Sequence, residues 1–306
     1  MTTVRPYRHE EDTERVDAFL VRMTSADAPH HNWLQARWEY MHFHPMLDRD
    51  HLDRFGVWEE GGAIVAVVHY ENRLGIVTVE LDPRHASLKP DVLRYAQVNL
   101  AGTFKVGKAV HVYIDEADKE FESTAVSQGS ERMDAGPSEP TSKLAIRKPF
   151  PPIRVPEGFR VQSLAEDDLR KVHRVLHRGF NHEGEPPEDG LEGRRRKLAA
   201  PGLRKDLTLV AVAPSGDFAS FCGMWYDAVN RVASIEPVAT DPDYRRQGLG
   251  TAVVLEGIRR CAALGAIAAY VGSDQPFHLA MGFEVCRRHR LWRKVLEPAP
   301  AGDEVS

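Results

Sequence analysis

The run Thr240-Asp-Pro-Asp-Tyr-Arg-Arg-Gln-Gly-Leu-Gly250 has the residue types of an anion cradle. Gly248 and Gly250 withhold side chains where a backbone must turn closely around a bulky group, and Arg245 and Arg246 supply positive charge. A helix starts at the same place, with Leu249, Val253, Val254, Ile258, Cys261 and Ala262 on one side. Its first N–H groups lack intrahelical partners and point at the cradle, which suits a diphosphate. A Gly-x-Gly alone is a weak signal, so the surroundings must add to it. Just upstream, Val232-Ala-Ser-Ile-Glu-Pro-Val-Ala239 reads as an apolar strand holding one carboxylate, Glu236, and a proline that fits an edge or a bulge. Strand alternation puts Glu236 and Val238 on one face. A charged side chain inside an otherwise apolar strand is an oddity.

The elements that must hold these residues are legible on both sides. Residues 159–164 alternate as a strand, and 165–180 place Leu169, Val172, Val175 and Leu176 on one helical face. Residues 190–200 suggest a short arginine-rich helix. Strands are expected at 207–213, 219–227 and 231–240, then the helix from Leu249 to a C-cap at Gly265. A strand at 266–271, a helical turn or two at 276–281 and a terminal strand at 285–293 complete a small α/β layer. The first half repeats this order faintly: a helix at 13–23, strands at 55–59 and 63–70 around a Glu-Glu-Gly-Gly turn, a strand at 73–81, a helix at 88–100 and a strand at 109–114. Its counterpart of the cradle, Asp82-Pro-Arg-His-Ala-Ser-Leu-Lys-Pro-Asp91, has no glycine, so no diphosphate site is expected there. Prolines 137, 140, 149, 151, 152 and 156 separate the halves. The expected domains are 1–148 and 158–306, joined by a stiff linker at 149–157, with 143–147 as the last strand of the first domain.

A chain of 306 residues suits two domains of roughly 150 residues each. Its net charge of -5 argues against a nucleic-acid binder. Cys222, Cys261 and Cys286 form no Cys-x-x-Cys pair, which favours reduced thiols in the cytoplasm. No stretch approaches the ~20 apolar residues of a membrane span, so no membrane partner is expected. A monomer or homodimer is the expected state.

With Gly282-Phe283 some thirty residues downstream, the run from Val238 to Gly250 resembles the GCN5-related N-acetyltransferase (GNAT) superfamily over residues 160–294. The resemblance implies an α/β fold of two tandem acyl-CoA N-acyltransferase domains. Each would be a mixed, partly splayed central sheet flanked by helices, and the first would be a degenerate copy. It implies acetyl-CoA as co-substrate. Val238, Ala239 and Thr240 would follow the pantetheine arm, and Arg245, Arg246, Gln247, Gly248, Leu249, Gly250 and Thr251 would surround the diphosphate. It implies direct acetyl transfer to a primary amine of a small-molecule acceptor. The rival readings are a non-catalytic acyl-CoA-binding or regulatory protein and a protein or peptide N-acetyltransferase. The family often carries a tyrosine acid four residues before the Gly-Phe, where this chain has His278. A histidinium with an ordinary pKa near 6.5 can donate a proton near neutrality. Glu236 is then the candidate base and His278 the candidate acid.

In the family, the helix and loop after the first strand wall the acceptor pocket, which makes Phe180, His182 and Glu183 candidate acceptor contacts. Trp225, on the strand before the splay, is another. His173 and His177 are four apart, with His182 and Glu183 nearby, but neither a His-Glu-x-x-His nor a cysteine accompanies them and no metal is expected. His30, His31, Trp33, Trp38, Tyr40, His42, Phe43 and His44 read as helix packing against a sheet or the other domain. The run from Arg194 to Lys197 reads as a solvated helix face.

Overall fold

The computed structural model describes residues 1–24, 32–165 and 168–299, so His30 and His31 and positions 166–167 lie outside the described residues. The chain forms two units, one of Met1–Gln35, Met46–Pro140 and the chain from Cys286 on, the other of Ala36–Pro45 and Thr141–Val285.

In the first unit, β1 (Thr3–Pro6), β2 (Gly56–Glu60), β3 (Ala63–Tyr70) and β4 (Ile76–Leu81) run antiparallel in that order. Gly61 and Gly62, at φ 58° and 80°, supply the left-handed turn between β2 and β3. From Ile64 to Tyr70, β3 is buried at every position, as a central strand covered on both faces must be. Helices α1 (His9–Met23), α3 (Lys89–Asn99) and α4 (Lys119–Ser127) accompany this sheet. β4 lies parallel to β6 (Gly107–Asp115) through only Ile76↔His111 and Val77↔Val112. β14 (Glu284–Pro298) pairs antiparallel with β6, and β5 (Gly102–Phe104) and β7 (Glu131–Arg132) add short edges.

In the second unit, β9 (Arg160–Ser163), β10 (Leu209–Val212), β11 (Phe218–Asp227) and β12 (Val232–Thr240) run antiparallel. β12 is parallel to β13 (Ala268–Val271), and residues 142–145 of β8 (Ser138–Ala145) pair antiparallel with β13. The period of two sorts β10 between two cores: Leu209 and Ala211 pack with the helix α7 (Leu249–Ala263), and Val210 and Val212 with α5 (Leu169–Gly179). The second core also holds Val172, Val175 and Leu176, the face read from the sequence. α6 (Gly190–Leu198), α8 (Pro276–Leu279) and all but the first residue of α2 (Gln35–Phe43) complete this unit.

Both sheets thus have one order: four antiparallel strands, a parallel neighbour, then an antiparallel strand. The closing strands come from the opposite halves. The 143–147 strand, expected to end the first domain, pairs with β13 of the second unit, and the 285–293 strand lies, from Cys286 on, in the first. The expected domains therefore differ from the units in these strands and in residues 36–45. Alternation identifies a strand but carries no record of its distant partner.

Candidate functional site

The site begins where β12 loses a neighbour. Parallel pairing with β13 ends at Ile235↔Val271, whereas pairing with β11 continues through Cys222↔Val238, Phe221↔Ala239 and Ser220↔Thr240. One edge of residues 236–240 therefore faces no strand among the described residues. A bulge marks the departure, because Gly223 alone opposes both Glu236 and Pro237. A Cβ on Gly223 would lie 2.3 Å from the Glu236 carbonyl oxygen, so the close approach requires glycine. The bulge also corrects the facing argument: alternation that would set Glu236 and Val238 on one face does not run through an inserted residue.

After Thr240 the chain turns through Pro242–Tyr244, capped by the Asp241 side chain, and enters α7 with Arg246 and Gly248 left-handed at φ 64° and 85°. The first bond across the start of α7 runs from the Ala252 amide to the Gly248 carbonyl at 2.9 Å. The amides of Leu249, Gly250 and Thr251 are left without acceptors among the described residues. The two glycines differ in role. A Cβ at Gly248 would meet nothing within 4 Å, but one at Gly250 would lie 3.0 Å from Thr240 Oγ1 and 3.2 Å from the Phe277 ring. Gly248 faces open space and Gly250 serves packing.

The arginines differ too. Arg245 is a brace: its Nε donates to the Thr240 carbonyl at 3.1 Å, and its Nη2 to the Gly179 carbonyl and Asn181 Oδ1, both at 2.8 Å. Arg246 is exposed. A second brace escaped sequence reasoning. The fully buried Asp241 carboxylate accepts from Arg178 Nε at 2.7 Å and Nη2 at 3.1 Å, from Arg174 at 3.3 Å and from the Asp243 amide at 3.0 Å. Burial works to raise its pKa, but the Arg178 bonds, the Asp243 amide and the two positive charges together hold it below the ordinary value. Arg174 and Arg178, four apart on α5, were the available signal. Asp241→Asn should cost about 3 kcal/mol of stability by stranding them. The depressed pKa makes this contribution present above about pH 4 and lost as pH falls, so denaturant unfolding of variant and parent should converge in acid.

Residues 170–283 match the profile described as "Acetyltransferase (GNAT) family". That stretch is similar to the GNAT family. Over nearly the whole chain the fold is similar to a GCN5-related N-acetyltransferase from Sphaerobacter thermophilus, with TM-score 0.61 and 18% identity, covering 96% of this chain and 95% of that one. It is similar to a tandem GNAT protein from the clavulanic acid biosynthesis pathway, with TM-score 0.63 and 15% identity, covering 99% and 100%. A glucosamine N-acetyltransferase region in a fungal multi-domain GH3 β-N-acetylglucosaminidase is similar at TM-score 0.56 and 13% identity, covering 96% of this chain and 38% of that one. At these identities the likeness is one of fold. No curated protein matches the sequence.

At the position where the GNAT resemblance placed an acid, His278 is buried. Its Nδ1 is 3.1 Å from Ser273 Oγ, and its Nε2 is buried with no hydrogen-bond partner among the described residues. Burial pushes its pKa down to about 4, which favours the neutral imidazole at pH 7 over the histidinium donor expected from the sequence. His278→Ala should therefore move no limb of a rate profile between pH 7 and 9. The shift has a stability consequence with a definite sign. The unfolded imidazole titrates near 6.5 and the folded one at about 4, so the unfolded chain takes the proton first as pH falls. The contribution of neutral His278 is complete above pH 6.5 and lost by about pH 4. Denaturant titrations of the parent and His278→Phe should differ in pH dependence by roughly 3 kcal/mol between pH 7.5 and pH 4. Identical curves would refute the burial argument.

The GNAT acceptor candidates are scattered. Phe180 is 50% exposed at the end of α5, and His182 and Glu183 are exposed in the following loop. Trp225 is buried and forms no open wall, its Nε1 donating to the Glu236 carbonyl at 3.2 Å. His173 and His177 give their Nε2 to the carbonyls of Pro187 and Glu183, at 2.9 and 3.2 Å.

Proposed function

We propose that the second unit is an acetyl-CoA-dependent N-acetyltransferase that moves acetyl directly to a primary amine of a small-molecule acceptor. The observation that carries this is the edge of residues 238–240 that faces no strand among the described residues, running into the amides of residues 249–251 at the start of α7. Acetyl-CoA has the complementary parts, since its pantetheine amides suit a strand edge and its diphosphate suits a helix N-terminus. Bound there, it supplies an activated acetyl thioester. Val238, Ala239 and Thr240 would line the pantetheine arm, and the backbone from Arg246 to Thr251 would hold the diphosphate beneath the open face of Gly248.

Glu236, at the bulge, takes the proton of the acceptor ammonium directly or through water. A free thiol has a pKa of about 8.5, so the thiolate leaves without a strong acid and a neutral His278 is no obstacle. Direct transfer also accords with Cys222, which is fully buried and whose thiol burial pushes upward, away from a nucleophilic thiolate.

The reading extends to the whole chain as two tandem domains of one fold, with the first degenerate. The repeated strand order supports it, as does the fate of the corresponding edge in the first unit. There, Asn32 Nδ2 donates to the Leu81 carbonyl at 3.1 Å and its Oδ1 accepts from the Leu81 amide at 2.8 Å, so the chain's own amide occupies that backbone. The following turn holds Pro83, Arg84 and no glycine. One coenzyme per chain is expected, in a cytoplasmic enzyme. Thiol release from acetyl-CoA on adding a library of primary amines tests the activity. Coenzyme binding with no release for any amine or peptide would favour a non-catalytic acyl-CoA binder, and release with peptides alone a protein acetyltransferase.

A further inference from the structure

The basic run on α6 does not form one solvated face. Arg195 and Arg196 are exposed, and Arg195 pairs with Glu192 at 2.5 Å. Arg194 and Lys197, three apart on the same side of the helix, are half-buried. Residues 36–45 press α6 closely, because a Cβ on Gly193 would lie 3.0 Å from Pro45. The Lys197 ammonium donates to the Tyr40 hydroxyl at 2.9 Å and sits 4.8 Å over the Tyr40 ring. Arg194 Nε is buried and has no acceptor among the described residues. Burial pushes Lys197 down to about 7 and the Arg194 charge adds to it, whereas the Glu236 carboxylate acts in the opposite sense. Burial lowers Arg194 as well, opposed only by Tyr40.

A buried guanidinium N–H is ordinarily paired, and here Arg194 Nε, beside a second cation, has no acceptor among the described residues. That place adjoins the site. The Tyr40 ring stands edge-on to Trp225 with centroids 6.4 Å apart, and Trp225 donates to the Glu236 carbonyl at 3.2 Å. The cations therefore lie toward the Glu236 end of the open strand edge. The amides of the cradle lie beyond its Thr240 end, roughly 13 Å along the strand.

We propose that Arg194 and Lys197, with the Tyr40 hydroxyl, bind an anionic group of the acceptor, so that the substrate is an amine that also carries a carboxylate or a phosphate. The amine and acetyl parts of this statement rest on the acetyltransferase reading, and the anion site does not. A guanidinium fork matches two oxygens of either group, and Lys197 adds a compact second charge. The position near Glu236 places the anion on the acceptor side of the bulge, leaving the amine to face the end of the strand edge where acetyl would arrive.

The test uses amines matched except for charge: β-alanine against its amide, phosphoethanolamine against ethanolamine, and amino acids against their methyl esters. Each is offered with acetyl-CoA while thiol release is followed, and each is titrated calorimetrically into the protein without regard to turnover. The anionic member of at least one pair should be preferred, and the preferred pair separates carboxylate from phosphate. Arg194→Gln should raise KM or Kd for that amine by roughly 10- to 100-fold, with the KM of acetyl-CoA unchanged and the neutral amine little affected. Lys197→Met gives a second reading should Arg194→Gln fail to fold. Arg194-dependent binding of anionic amines without acetylation would sink the acetyltransferase reading and uphold the anion site. Equal use of charged and neutral amines, binding of neither, or a KM change for acetyl-CoA in place of the acceptor would overturn it.

Discussion

Gly248→Val is expected to abolish measurable coenzyme binding while the chain stays folded. At φ 85° a β-branched residue is strained by about 1–3 kcal/mol, and its side chain would enter the open space beside the amides of residues 249–251. Losing two or three charge-assisted bonds to a diphosphate, at roughly 1.5–3 kcal/mol each, weakens binding by ~10²-fold or more. Gly250→Val should also lose the coenzyme, for another reason: its side chain would push on Thr240 Oγ1 and the Phe277 ring, so its melting temperature should fall further than that of Gly248→Val. Ser87→Val, at an exposed position of the first unit's glycine-free turn, should bind as the parent does. Calorimetry that finds Gly248→Val binding acetyl-CoA within threefold of the parent, or finds two equal sites per chain, would defeat the assignment of the cradle.

Comparison of the two glycines shows where sequence reading reaches and where it stops. The order of elements in the second half was legible because each is a local pattern: alternation in 207–213, one apolar face from Leu249 to Ala262, a glycine at each turn. The left-handed Gly248 follows from the same local chemistry. Which side of Gly250 is crowded depends on Phe277, twenty-seven residues away, and no spacing rule conveys that. By type alone Arg245 suits the anion, whereas its geometry is fixed by the carbonyls of Thr240 and Gly179. His278 illustrates the same limit, since a histidine in a Gln-Pro-Phe-His run has an ordinary pKa until its burial is known. The segment 36–45, read only as aromatic packing, brings Tyr40 to Lys197. That pairing spans more than 150 positions of sequence and left no trace in either local pattern.

Glu236→Gln should reduce turnover by roughly 10²–10⁴ at saturating substrates, with acetyl-CoA affinity preserved. Removing a proton from an ammonium of pKa around 10 is uphill at neutral pH, and the amide keeps the volume of the carboxylate without its basicity. The loss should shrink as pH rises and the amine deprotonates unaided, which a structural defect would not do. Lys197 complicates the experiment in a predictable way. The Glu236 carboxylate supports the protonation of the Lys197 ammonium, so its removal lets burial and Arg194 push that pKa below about 7 and weakens any hold on an anionic acceptor. KM for the acceptor should therefore rise together with the fall in kcat. In a Lys197→Met background the KM effect should disappear while the kcat effect persists. Turnover of Glu236→Gln within about twofold of the parent from neutral to alkaline pH would remove Glu236 as the base. The exposed loop from His182 to Glu185 would be the next place to look.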